Sequence, residues 1–230
     1  MAIRAKIFEL LSNVMQSTLS LSFNLGGLVA GGILALYLDV FSISPWMIVL
    51  FPCVLSVRGA IGGLFSGRLS TALHLGTVKA SYTNNTKSFN LLLASIVTLA
   101  FESSIIMGTA TFILGSFLWR MPLENYLPML AVVSGTMGLS ILVISPITMA
   151  ASFISFKHGM DPDVIVYPIT STVADIFVTL CYVIVLEVFF LTHSGYYFVY
   201  LIDLVFTLVA LILLAKNSKE IEFIKTLKEF

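Results

Sequence analysis

Residues 161–175 read Asp161-Pro162-Asp163-Val164-Ile165-Val166-Tyr167-Pro168-Ile169-Thr170-Ser171-Thr172-Val173-Ala174-Asp175. Two acidic residues open the stretch in a short polar link, and an apolar run then lasts to about Leu191. Pro168 interrupts that run early, three hydroxyl residues follow, and Asp175 comes soon after. The run is long enough to cross a membrane, because about 20 apolar residues span a hydrocarbon core of about 30 Å. A carboxylate inside such a helix costs about 2.5–3.5 kcal/mol on insertion scales. A chain keeps that cost where the carboxylate is paired or meets water or an ion. Asp175 is therefore the leading functional candidate.

Composition extends the membrane reading to the whole chain. Of its 230 residues 58% are hydrophobic and 10% charged, against about 25% charged in a soluble domain. The other apolar runs are continuous, whereas a membrane β-barrel would show alternating segments of about ten residues. The fold class is thus all-α integral membrane. Net charge is zero, so the basic footprint that nucleic acid requires is missing. Cys53 and Cys181 both lie in apolar runs and read as small buried hydrophobes, not as a disulfide or metal pair. His74, His158 and His193 fall in links and read as solvated. The polar start of the chain lacks a small-residue cleavage site, so no removable signal peptide is expected.

Taken in order, residues 1–17 have the pattern of an amphipathic helix lying on the membrane surface, with Ile3, Ile7, Leu10, Leu11 and Val14 on one face. The first span is expected over about 18–38. Its Gly27 and Gly31 form a GxxxG pair, which serves either packing within the chain or a dimer contact. The second span is expected over about 45–71. Pro52, Gly59, Gly62, Gly63 and Gly67 predict that this helix is broken, which membranes tolerate where backbone lines a cavity, and exposed carbonyls at such a break can help bind a cation. Arg58 lies within this span and needs a partner, for which Glu102, Asp175 and a neighbouring carbonyl are candidates. The remaining spans are expected over about 89–118, which carries Glu102, then 126–156, 164–191 and 198–215. Residues 216–230 form a charged tail. Glu187 and Asp203 flank the turn between the last two spans and are expected to reach the interface. Asp161 and Asp163 suit the positive end of the fifth helix as caps.

Six spans put ten of the twelve Lys and Arg residues on one side, Arg120 alone on the other and Arg58 in the membrane. By the positive-inside rule both termini are then cytoplasmic. The cell membrane is the expected location.

Two blocks carry a family resemblance. The first is Pro52, Arg58 and Gly59, followed by Ser66, Arg68-Leu69-Ser70-Thr71-Ala72 and Leu75-Gly76. The second is Pro162, Asp163, Ile165 and Pro168, with Asp175 seven residues after that proline, and with Ser171 and Thr172 where a Thr-Thr pair stands. Together they resemble the membrane domain of MgtE-type magnesium channels, and more closely one half of their eukaryotic solute-carrier relatives. The resemblance covers 18–192 and divides the chain into an N-terminal helix (1–17), a five-span core (18–192), a sixth span (193–215) and a cytoplasmic tail (216–230). It implies divalent cation transport, chiefly Mg²⁺, through a pore on a homodimer axis. Carried over, Asp175 of each subunit holds the ion, and Ser171 and Thr172 line the same site. The sixth span returns the chain to the cytoplasm, so a homodimer would resemble the two fused halves of the solute carriers. Ala60 and Gly62 depart from the pattern, standing where the family has Asn and Glu.

The chemistry agrees on its own terms. Mg²⁺ holds its waters tightly and usually meets a protein through one or two carboxylates. One Asp per subunit, doubled by symmetry, suits such an ion. No His or Cys neighbours Asp175 in the sequence, which argues against a site tuned for zinc or copper. Glu102, Gly59 and Arg58 are further candidates for the ion path, with Glu102 either paired to Arg58 or on the path itself. No cofactor is implied, since Mg²⁺ is cargo. Enzyme activity is not expected: Gly63-Leu64-Phe65-Ser66-Gly67 is not the serine motif of an intramembrane protease, and no histidine lies deep in a span. The readings that compete with a channel are a Na⁺- or H⁺-coupled exchanger and a non-conducting scaffold subunit.

Overall fold

The computed structural model of the chain describes Val14 and residues 25–158 and 162–230, and of Leu25 and residues 162–169 the backbone only. Apart from Val14, the expected surface helix over 1–17 lies outside the described residues, as do Asp161 and the side chain of Asp163. The described residues form helices joined by short links, with no strand among them. The main helices are α1 (Leu25–Leu36), α2 (Pro45–His74), α3 (Lys87–Trp119), α4 (Tyr126–Lys157), α5 (Pro162–Leu191), α6 (Gly195–Asn217) and α7 (Ile221–Lys228). A single helical turn, Leu38–Phe41, precedes α2, and a 3₁₀ turn, Leu123–Asn125, leads into α4. Among the described residues five helices, α2 to α6, are long and apolar enough to cross a membrane.

The helix ends follow local chemistry. Pro45 opens α2 after an extended Ser44, where a missing N–H costs nothing. Gly76 closes it in the left-handed conformation with φ +69°. The Gly76 and Thr77 N–H groups then donate to Leu73 and Ala72 oxygens at 3.1 and 3.0 Å. That geometry is a glycine-terminated cap and accounts for the Leu75-Gly76 pair. Thr86 starts α3 by accepting the Phe89 N–H at 3.4 Å. The α2–α3 link is held by Asn85, which accepts from Lys79 N and donates to the Lys79 and Ser81 oxygens.

Helices α3 and α4 form the most buried pair. Helix α4 touches α2, α3, α5 and α6, while α1 rests on α5. Serine and threonine on the inner helices donate to carbonyls one turn back, as Ser95 does to Leu91, Thr98 to Ala94 and Thr136 to Val132. These small hydroxyls satisfy themselves and let neighbouring backbones approach. Tyr182 of α5 is fully buried near Phe41 and Phe51, and its hydroxyl donates to the Met47 oxygen at 2.7 Å.

Two expectations are corrected and one is extended. Helix α2 is not broken: it runs continuously through Pro52 and all its glycines. Pro52 removes one intrahelical bond early in the helix, and Tyr182 supplies a donor beside that place. Each glycine costs about 1 kcal/mol of helix propensity, whereas a backbone group left unsatisfied in hydrocarbon costs several. The continuous helix therefore wins, and α2 offers no break whose carbonyls could bind an ion. The charged tail is partly a helix, α7, with Phe223 fully buried against Leu91 and Ala94 of α3. Lys87–Glu220 and Arg68–Glu229 ion pairs fasten its two ends. Finally, packing within the chain falls on Gly26 rather than on Gly27 and Gly31. Among the described residues a Cβ added at Gly27 or Gly31 would meet nothing within 4 Å, while one at Gly26 would strike Thr172 of α5.

Candidate functional site

Three helices meet around Asp175. A cavity of about 20 Å³ lies between α2, α4 and α5. From α5 come Thr170, Ser171, Ala174 and Asp175, where the four-residue spacing of Ser171 and Asp175 sets both on one face. Helix α2 contributes Arg58 together with Gly59, Gly62 and Gly63. Helix α4 contributes Ile144 and Thr148, whose hydroxyl is spent on the Ile144 oxygen at 3.0 Å. A cavity of this size holds about one water molecule. Asp175 is half-buried and Ser171 exposed. Among the described residues no donor reaches the Asp175 carboxylate, and the Asp175 main-chain oxygen accepts the Thr179 hydroxyl at 2.6 Å.

Arg58 is the unexpected member of this group. Only 2% of it is exposed. Its Nε and Nη1 are buried with no hydrogen-bond partner among the described residues. It makes no ion pair with Asp175, Glu102 or any other described carboxylate, and the ion pairs formed are those at the tail. Gly62, one turn along α2, leaves room for the guanidinium: a Cβ there would lie 3.5 Å from Arg58 Nη1.

The other candidates are placed apart. Glu102 is half-buried on α3 and does not line the cavity. The Arg58–Glu102 pair does not form, because Arg58 turns to the cavity between α2, α4 and α5. Thr172 follows Ser171 by a third of a turn and packs against α1. A Cβ at Gly26 would be 2.7 Å from both the Thr172 oxygen and its Cγ2. Helix α1 thus braces the segment that carries Ser171 and Asp175. Asp203, expected at the interface, is instead partly buried on α6 and accepts a hydrogen bond from the Ser134 hydroxyl of α4. The glycines beside Ser134 hold a signal for this contact. Gly135 and Gly138 are where α6 comes close, with Val199 at 3.6 Å and Phe206 at 3.0 Å from an added Cβ.

Sequence reading also missed three buried hydroxyls. Ser70 of α2 and Ser145 and Ser152 of α4 have no hydrogen-bond partner among the described residues. Among the described residues no three His, Cys, Asp or Glu side chains gather as a metal cluster.

Residues 51–185, more than half of the chain, match the family model of MgtE, a divalent cation transporter. The match runs from α2 through most of α5 and includes Arg58, Glu102 and Asp175. No curated protein and no solved structure matches the chain. With a family match of this extent laid over a bundle of membrane-length helices, the chain belongs to the MgtE family of divalent cation transporters, as an integral membrane protein.

Proposed function

We propose that the chain carries divalent cations, chiefly Mg²⁺, across the cell membrane through a pore on a homodimer axis, with Asp175 of each subunit holding the ion. The observation that carries this reading is the Asp175 carboxylate, which no described donor satisfies, on the wall of a cavity lined by α2 glycines. An acid left unsatisfied in a membrane-length helix is costly unless an ion or water meets it. A hydrated Mg²⁺ needs just such a carboxylate, with hydroxyls such as Ser171 to receive its waters.

The surface around the site favours a second copy. Ser171 is exposed, as are Gly27, Gly31 and Gly32 of α1 and Ser56, Gly59 and Ala60 of α2. Helices α1 and α2 both flank α5. Small exposed residues let another helix pack closely in a membrane. A twofold axis at this face would bring two Asp175 carboxylates together and double their charge. If α1 also crosses the membrane, the chain has six spans. Both termini and α7 then lie on the cytoplasmic side, where ten positive residues gather.

The test is Mg²⁺ flux into liposomes that contain the purified protein, with Mn²⁺, Co²⁺ and Ca²⁺ as competitors. Flux that vanishes in Asp175→Ala supports the site. A folded Asp175→Ala protein that conducts like the parent would overturn it. The same liposomes separate a channel from an exchanger: flux without a Na⁺ or H⁺ gradient favours the channel, and strict dependence on one favours exchange. Absence of flux under every gradient would favour a scaffold.

A further inference from the structure

We propose that a cavity between α2, α3 and α7 binds the phosphoethanolamine headgroup of a membrane phospholipid. The motif Arg68-Leu69-Ser70-Thr71-Ala72, followed by Leu75, has no part in the Asp175 cavity. Arg68, Thr71, Ala72 and Leu75 instead line a second cavity of about 530 Å³. Small-molecule sites occupy about 300–1,000 Å³. No residue lines both cavities, so the two sites stand or fall separately.

Four charged side chains line this space: Arg68 of α2, and Glu222, Lys225 and Glu229 of α7. Arg68 Nε donates to Glu229 at 3.0 Å, and Nη2 pairs with the same carboxylate. A guanidinium has five N–H donors, so Arg68 keeps capacity for a further acceptor. Glu222 and Lys225 are exposed and make no ion pair among the described residues, although their three-residue spacing would let them meet on a helix. The four charges sum to zero. A simple cation or anion is repelled by one half of this set as it is drawn by the other. A zwitterion suits both halves, with its phosphate on Arg68 and Lys225 and its ammonium on Glu222.

The lining narrows the zwitterion. A quaternary ammonium has no N–H for a carboxylate and is characteristically held by aromatic rings. No aromatic residue is among the described residues that line the cavity, so a primary ammonium fits better. Position selects a lipid as its source. Helices α2 and α3 are of membrane length, and α2 ends and α3 begins at this cavity. Leu75, Leu91 and Leu92 supply apolar wall, and Leu75 is exposed. A headgroup seated here leaves its acyl chains in the hydrocarbon alongside. It also joins α7 to α2 and α3, adding to the buried Phe223 and the two ion pairs.

The experiment follows thermal unfolding of the purified protein in detergent during titration with phosphatidylethanolamine, phosphatidylcholine, phosphatidylglycerol or free phosphoethanolamine. Phosphatidylethanolamine should half-saturate at a concentration about tenfold lower than the other two lipids, about the worth of one hydrogen bond between charged groups. Glu222→Gln should erase its advantage over phosphatidylglycerol, and Lys225→Ala should weaken both lipids. Both side chains are exposed, so the variants should fold. Equal half-saturation by all three lipids overturns the proposal. So does a preference for phosphatidylethanolamine that survives both variants, because the lipid then binds elsewhere. Free phosphoethanolamine that saturates as readily as the lipid would assign the cavity to a soluble phosphate ester and overturn the lipid as occupant.

Discussion

Asp175 and Asp203 are both carboxylates on membrane-length helices, and the bundle meets them differently. Asp203 takes the hydroxyl of Ser134 from the neighbouring helix and sits where Gly135 and Gly138 admit α6 against α4. Asp175 has no such donor among the described residues and lines a cavity together with Arg58, whose Nε and Nη1 have no hydrogen-bond partner among those residues either. One acid has its cost offset by a local bond that ties two helices. The other has no such bond among the described residues. Hydrophobicity alone cannot tell these acids apart; their partners do.

The contrast can be broken most directly at the carboxylates. Asp175→Asn keeps the shape and removes the charge, and should reduce Mg²⁺ flux to that of empty liposomes. Asp203→Asn should leave flux close to the parent, because an amide can still accept from Ser134. Equal losses in both variants would place Asp203 on the ion path and end the distinction.

Steric pressure at the two contacts comes next. A methyl at Gly26 would lie 2.7–2.8 Å from backbone atoms of Thr172, whereas one at Gly138 would lie 3.0 Å from the Phe206 ring. Backbone yields less easily than a ring, so Gly26→Ala should cost more than Gly138→Ala, at about 1–3 kcal/mol for overpacking. Gly26→Ala should also disturb flux, since it pushes on the segment that presents Ser171 and Asp175. Thermal unfolding in detergent beside liposome flux reads both effects, and a larger flux loss from Gly138→Ala would reverse the ranking.

A smaller effect sharpens the role of Asp203. Ser134→Ala should destabilise the protein by about 0.6 kcal/mol, the average found for side-chain hydrogen bonds between membrane helices. Flux should not change. A loss of transport without loss of stability would show that this hydroxyl serves the ion rather than the fold.

The least effect is expected at the tail. Lys87→Ala removes an exposed ion pair to Glu220 and should cost about 0–1 kcal/mol. Helix α7 should stay docked through the buried Phe223. Protease cleavage near Lys219 is the readout, and marked acceleration in Lys87→Ala would assign the docking to charge rather than to burial.

Much of this architecture was legible because the membrane imposes it. Runs of apolar residues long enough to span a bilayer must be helices, since backbone groups in hydrocarbon can be satisfied no other way. That constraint placed α2 to α6 within a few residues of their observed bounds. The same constraint explains the error at α2: glycine and Pro52 weaken a helix in water, but the membrane leaves no cheaper alternative. The docking of α7 was hidden behind its charges, although Phe223, Ile224 and Leu227 share a helical face.

The sequence by itself determined the class of the protein, the five long spans and the family motifs that single out Asp175. Those properties depend on the composition of single segments and on matched motifs, which are local. Only the tertiary structure decided that Arg58 shares a cavity with Asp175 and not with Glu102, that Thr172 turns to Gly26, and that Ser134 satisfies Asp203. Each depends on the rotation and depth of one helix against another. That register is set by how small residues and rings interlock across the interface, and nothing in either segment alone records it.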